Sequence, residues 1–233
     1  SGLGIQGLLG LAKDPIAYAK AAWAAGKAIG DPAAHGLYLL AFDQKARAAG
    51  RMTSDQIANY VRIGGQETEF TSKGIAKIPL YKQGARHFGT FGDVLRNELF
   101  SHAEDSANRM GRPLTEAELH GLGKAVERAT GWSRNRLGGD LGDAAVFAPR
   151  FLNSQIEMLA KAVSDGTIEG AYARESLGKL LGLGALTVVG LNTASGELQP
   201  EDYLMPFKDG KSNPNFMRVR ISGRDYAPFG SWD

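Results

Sequence analysis

The chain has 233 residues, 43% of them hydrophobic, and a net charge of +2 from 27 basic and 25 acidic residues. Such a chain can bury a core as one domain or two small ones, which excludes wholesale disorder, and the near-neutral balance excludes coating of nucleic acid by bulk charge. With no cysteine there are no disulfides, thiolate zinc sites or thiol nucleophiles, which suits a reducing compartment or a virion interior.

The chain opens Ser1-Gly2 rather than with methionine, as expected of a fragment, a protease product or a tag remnant. Asp14-Pro15 pairs an N-cap with proline in the first turn and predicts a helix to about Gly30. Asp31-Pro32 repeats the device for a helix to Ala49, stopped by Gly50. Thr53-Ser-Asp-Gln56 is a capping box that predicts a short helix to about Ile63. Gly64 to His87 shows no period and reads as a long connection. Phe91 to Met110 reads as a helix with Val94, Leu95, Leu99 and Ala103 toward one face. A second capping box, Thr115-Glu-Ala-Glu118, opens a helix that ends at Gly131. A Gly- and Arg-containing loop covers Trp132 to Gly142, and Pro149 marks a helix break or start. Leu152, Ile156, Leu159 and Val163 follow helical spacing to Gly166, with Phe147, Phe151, Ile156 and Leu159 expected inside. A more apolar helix follows from Ile168 to about Leu191.

From Ser195 the pattern changes, because prolines 200, 206 and 214 exclude a helix. Met217, Val219 and Ile221 alternate with Arg218, Arg220 and Ser222, a strand signature. Gly223 can turn the chain into a second short strand over Asp225 to Phe229. A lone hairpin is marginal in water, so its Met217-Val219-Ile221 face is expected to be buried. The fold expected is mainly α: a multi-helix domain with a small C-terminal β-hairpin. Residues 1–90 read as an N-terminal helical segment with a connecting loop and 91–233 as a helical core with the hairpin, the two also readable as one continuous domain.

Motifs of catalysis are poorly supported. Gly2, Gly4 and Gly7 spell G-x-G-x-x-G, but no strand precedes them to aim a phosphate at a helix N-terminus. Gly210-Lys211-Ser212 lacks the upstream glycine of a phosphate loop. His102-Ala-Glu104 matches the H-x-E of zinc deaminases, whose metal site cannot be completed without cysteine. Ser176-Leu-Gly-Lys179 lacks the partner motifs of serine–lysine enzymes. Histidines 35, 87, 102 and 120 show no metal-ligand spacing. No catalytic residue, cofactor or metal is therefore expected. The enzymatic alternative is a peptidoglycan-cleaving or nucleic-acid-processing module with Glu67, Glu69, His87 or His102 as acid or base.

Arginines are better candidates for contact with a partner or nucleic acid. Arg134, Arg136 and Arg150 flank the Gly-rich loop and the bend, and Arg218, Arg220 and Arg224 lie on or beside the hairpin. On one strand face, Arg218 and Arg220 could grip phosphate or a carboxylate-rich partner; a solvated face gives the same alternation. The glycine-interrupted apolar stretch Leu180 to Leu191 reads either as a helix buried in a core or as a membrane-active one, and Gly2 to Leu11 could likewise insert in a membrane or pack on a neighbour.

From Phe42 to the end the chain resembles the large polyvalent protein associated domains of bacteriophage polyvalent and internal virion proteins. The resemblance is carried by Phe147-Ala-Pro-Arg150, the helix Leu180 to Leu191, Asn215-Phe216-Met-Arg-Val219, Gly223-Arg-Asp225 and Phe229-Gly230, with Thr71-Ser-Lys-Gly74 upstream. It departs from that pattern in Phe-Lys-Asp-Gly before Asn213 and in Phe-Gly-Ser-Trp near the end. The resemblance implies a non-catalytic structural or interaction module of an ejection protein, carried in the virion and delivered to the host cell. Its implied partners are other virion proteins in a homo- or hetero-oligomer, with phage DNA and the host membrane as further candidates.

Overall fold

The computed structural model describes residues 8–63, 79–133 and 149–226. Among these the chain is mainly α-helical, with a small antiparallel strand pair near its C-terminus. It divides into two compact units, Ser1–Leu177 and Gly178–Asp233. The boundary anticipated at residue 90 falls inside a helix.

In the first unit, α1 (Leu8–Lys13) leads into α2 (Pro15–Gly30) at Asp14. The Asp14 carboxylate accepts from the Ile16 and Ala17 amides at 3.1 and 2.9 Å, capping α2 as its sequence predicts. Ala17, Ala21, Ala24 and Ala28 share one face of α2 and are buried. With only a methyl at each, α2 lies close along α5 (Pro79–Arg109), and Tyr18 meets Phe91 edge-on at 5.3 Å.

Helix α3 (Ala34–Ala48) starts two residues beyond Pro32, because Asp31 caps the Ala33 amide at 2.8 Å. Gly50, at φ +66°, supplies the left-handed stop. The Thr53 box forms, but α4 is a single turn, Ser54–Ile57.

Helix α5 begins at Pro79, inside the stretch read as a connection, and runs 31 residues. Every residue from Thr90 to Ser101 is buried. That buried middle reads as a helix from Phe91 in the sequence; the turns before it do not, because Gly84 and Gly89 weaken their helical signal. Proline at the first helical position was the usable clue.

Helix α6 (Glu116–Ala129) carries the second capping box, with the Thr115 amide donating to Glu118 at 3.0 Å. Gly123 sits mid-helix because a Cβ there would collide with the Tyr60 carbonyl.

Helix α7 starts at Pro149 and ends at Ser164, followed by α8 (Ile168–Ser195). Two burial expectations on α7 are corrected. Ile156 is 49% and Leu159 42% exposed, while Ser154, Gln155 and Met158 face inward. Polar ties set the helix's rotation. Arg128 donates to Glu157 at 2.6 Å, and Ser133 and Asn153 donate to the same carboxylate at 3.0 and 2.7 Å. Holding Glu157 and Asn153 toward α6 turns Ile156 outward. Phe147 and the side chain of Phe151 lie outside the described residues.

The second unit folds around the end of α8. Its core is Val188, Leu198, Tyr203 and Val219, with Met217 half-buried beside them. A short helix, α9 (Pro200–Leu204), corrects the expectation that the prolines exclude one, since Pro200 takes the first helical position; it precedes two hairpins, β1–β2 (Phe207–Lys208, Lys211–Ser212) and β3–β4 (Val219–Ile221, Arg224–Tyr226). Both turns place two residues at positive φ, Asp209-Gly210 and Ser222-Gly223, which matches the twist of paired strands. The C-terminal hairpin was expected; the first was not, although Asp-Gly is its standard signal.

Only part of the expected apolar strand face is buried. Val219 is inside, Met217 turns at φ +56° before the strand begins, and Ile221 is exposed beside the turn. Asn192 on α8 holds β3 with both ends of its amide: it donates to the Arg218 carbonyl at 2.8 Å and accepts from the Arg220 amide at 3.0 Å.

Candidate functional site

The most concentrated polar chemistry lies on α5. Asp93, Arg96, Asn97, Glu98, Ser101 and Glu104 are all buried there. Ionisable groups are stable at such depth only when paired and hydrogen-bonded. Arg96, 2% exposed, donates to Thr130 at 3.0 Å and lies 3.8 Å from Asp93, which also faces His35 at 3.4 Å. Burial raises the Glu104 carboxyl above its ordinary range.

His102 joins the N-cap of α2 to α5. Its Nδ1 meets the second oxygen of Asp14, and its Nε2 lies 3.4 Å from Glu98. Glu98 accepts from Lys20 at 2.8 Å and from the Tyr38 hydroxyl. Burial and then the Glu98 carboxylate push the Tyr38 hydroxyl well above the ordinary phenol range. For Asp14, partial burial acts to raise the carboxyl, but the Ala17 amide and His102 outweigh it and hold it low. The two carboxylates engage opposite nitrogens of the ring, so they cannot converge on one ion, and no metal-holding group occurs among the described residues. Both His102 nitrogens are turned to protein carboxylates. The cluster is arranged to tie helices together.

Of the other acid–base candidates, His87 is bonded to the Ala25 carbonyl at 2.8 Å. Glu67 and Glu69 lie outside the described residues, as do Arg134 and Arg136; Arg150 falls in the first turn of α7, where its side chain is not described. A shallow cleft of about 230 Å³ is lined by Tyr60, Arg62, Glu127 and Trp132, among others. Its Glu127 carboxylate accepts from the Arg62 amide at 2.9 Å.

The hairpin arginines differ from one another. Arg220 faces Asp225 across the strands and grips it with two bonds, 2.7 and 3.1 Å. That bidentate pair lowers the Asp225 carboxyl and raises the guanidinium. Arg218 is half-buried, and Arg224 is exposed next to the turn. The expected common face of Arg218 and Arg220 thus has one member committed within its own hairpin.

The most unusual surface is the second half of α8. No charged residue occurs from Leu180 to Ser195. Leu181, Leu183, Leu186, Val189 and Leu191 are exposed, Leu186 at 74%. Among the described residues this is the one helix long and apolar enough, by length and composition, to cross a membrane. Gly178, Gly182 and Gly190 stand within it with open space where a Cβ would be. Each glycine in a helix interior costs about 1 kcal/mol relative to alanine, and no neighbour among the described residues requires any of the three.

No protein-family model, curated protein or solved structure matches the chain.

Proposed function

We propose that the chain is a non-catalytic interaction module of a phage virion-associated protein, acting in virion assembly or genome ejection by docking onto other virion proteins. The observation that carries the docking role is the exposed, uncharged second half of α8. A helix that is apolar on its open side is covered in its working state, and an apolar surface of this kind marks an interaction site. The phage assignment is supported by the ordered resemblance from Phe147-Ala-Pro-Arg150 to Phe229-Gly230. The densest acid–base cluster, around His102, has its groups turned on one another, which favours docking over chemistry.

Mass spectrometry of purified particles of the encoding phage is the test. The chain is expected in the virion at a fixed copy number; its absence from particles overturns the reading. Loss of cell-wall turbidity on addition of the purified chain, abolished by Glu67→Gln or Glu69→Gln, would replace it with the enzymatic alternative.

A further inference from the structure

We propose that His102 is a pH-dependent latch: with a proton on both ring nitrogens it holds the elbow between α1 and α2 onto α5, and it lets go when it loses one of them.

The latch is built at Asp14, the residue between the two helices. Its amide donates to the Gly10 carbonyl at 2.9 Å and ends α1, while one carboxylate oxygen caps α2 through the Ile16 and Ala17 amides. The second oxygen reaches α5, where it meets Nδ1 of His102. Nε2 of the same ring faces Glu98, one turn back along α5, at 3.4 Å. An ionised carboxylate accepts and does not donate, so each of the two requires an N–H. A neutral imidazole has one N–H, and its bare nitrogen would aim a lone pair at the other carboxylate. The imidazolium supplies both protons.

The surrounding charges agree. Glu98 also accepts from Lys20 of α2 at 2.8 Å and from the uncharged Tyr38 hydroxyl of α3. Asp14, Glu98, Lys20 and His102 together are neutral when the ring is charged and net negative when it is not, and a sheltered cluster favours balance. Charges further out are matched among themselves: Lys13 with Glu175 of α8, and Asp105 of α5 with Arg109 and Arg51. Glu104 is bonded elsewhere, to the Met52 backbone. Burial first, then Glu175 and Asp14, keep the Tyr172 phenol of α8 protonated, so it adds no charge.

The imidazolium holds two carboxylates and the neutral ring holds at most one. The latch is therefore set on the acid side of the ring's titration and released as pH rises through it. Asp14 fixes the opposite limit, because its own protonation, below the ordinary carboxyl value, removes the acceptor. What is released is small: α1 and the first turn of α2, with Ala21, Ala24 and Ala28 keeping the rest of α2 packed. Leu9 and Ala12 of α1 are buried when the latch is set, so its release uncovers a short apolar segment.

A titration of the full chain, labelled with nitrogen-15, is the test, from about pH 5 to about pH 9 so as to cross the ordinary histidine range. At the acid end both His102 ring nitrogens are expected to show similar, protonated shifts. As one of them moves downfield, amide exchange over residues 8–18, corrected for its intrinsic pH dependence, is expected to quicken about fivefold with the same midpoint, the effect of one charge-assisted bond at a partly exposed site. Exchange that does not change across the ring's titration overturns the latch, as does a ring with one bare nitrogen throughout. His102→Gln is expected to give residues 8–18 the fast exchange at every pH in the range. His120→Gln, on the outer side of α6 with its ring 54% exposed, is expected to keep the original response. A pH response that survives in His102→Gln also overturns the proposal; should that variant fail to fold, the titration of the unaltered chain decides alone.

Discussion

Helices α5 and α8 invert the usual relation between polarity and burial. The middle of α5 carries Asp93, Arg96, Asn97, Glu98 and Ser101 and is buried; the second half of α8 carries leucine, valine and glycine and is open. On α5, hydrogen bonds and ion pairs to α2, α3 and the end of α6 make burial of charge tolerable. On α8, none of the described residues covers the exposed leucines and valine of the apolar side. Burial is decided by available partners, which the described residues supply to α5 and do not supply to the open side of α8.

Substitutions should sharpen this contrast. The largest effect is expected at Arg96. Arg96→Ala leaves Asp93 and Thr130 buried without its guanidinium, and unfolding free energy in urea should fall by about 3–5 kcal/mol; a change below 1 kcal/mol would mean that α5 does not depend on its ties. Next come matched leucines. Leu99→Ala, in a site 2% exposed, should cost about 2–5 kcal/mol, whereas Leu186→Ala should stay within about 0.5 kcal/mol at concentrations where the chain is monomeric. Equal losses at the two positions would end the comparison.

Asn192→Ala removes the side chain that holds β3 and should cost about 1–3 kcal/mol of local stability, read as faster amide exchange over residues 217–221 with little change in α5. Glycine gives a smaller contrast with opposite signs. Gly182→Ala should raise stability by about 0.5–1 kcal/mol, and Gly123→Ala should lower it, because its methyl would strike the Tyr60 carbonyl.

The smallest effect concerns acid. The Asp14 carboxyl is held below its ordinary value, so its contribution is present above that value, near 3.9, and is lost as pH falls through the lower folded one. Asp14→Asn should flatten the acid limb of thermal stability below about pH 4; an unchanged limb would place the acid sensitivity elsewhere, for example at Asp165, which Lys161 and then Thr167 also hold low.

Local signals were read well where they act within one turn. The caps at Asp14 and Thr115, the stop at Gly50 and the start at Pro149 need only neighbouring residues, and each is found. Ile156 and Leu159 show where that reading stops. Their spacing described a face, but Glu157 bound to Arg128, 29 residues away, chose which face turns inward. The start of α5 was hidden because Gly84 and Gly89 weaken the helical signal of its first turns, while its buried middle reads as a helix from Phe91. At the candidate site, the apolar run from Leu180 was legible and its exposure was not, since exposure depends on what the rest of the chain leaves uncovered. His102 was noticed as a residue, yet its two carboxylate partners, Asp14 and Glu98, lie 88 positions away and one helical turn away respectively.

Asn192 has one more effect. Its amide bonds the carbonyl of Arg218 and the N–H of Arg220, groups that a neighbouring strand would otherwise use. A single side chain therefore stands in for a third strand on that margin of the hairpin. Open strand margins recruit other chains into runaway sheets, and a hairpin as short as β3–β4 has no spare length in which to place charges or bulges against them. Residue 192 is thus a guard against aggregation as well as an anchor, and a chain lacking it should be more prone to form β-rich precipitate on long storage even while its helices remain folded.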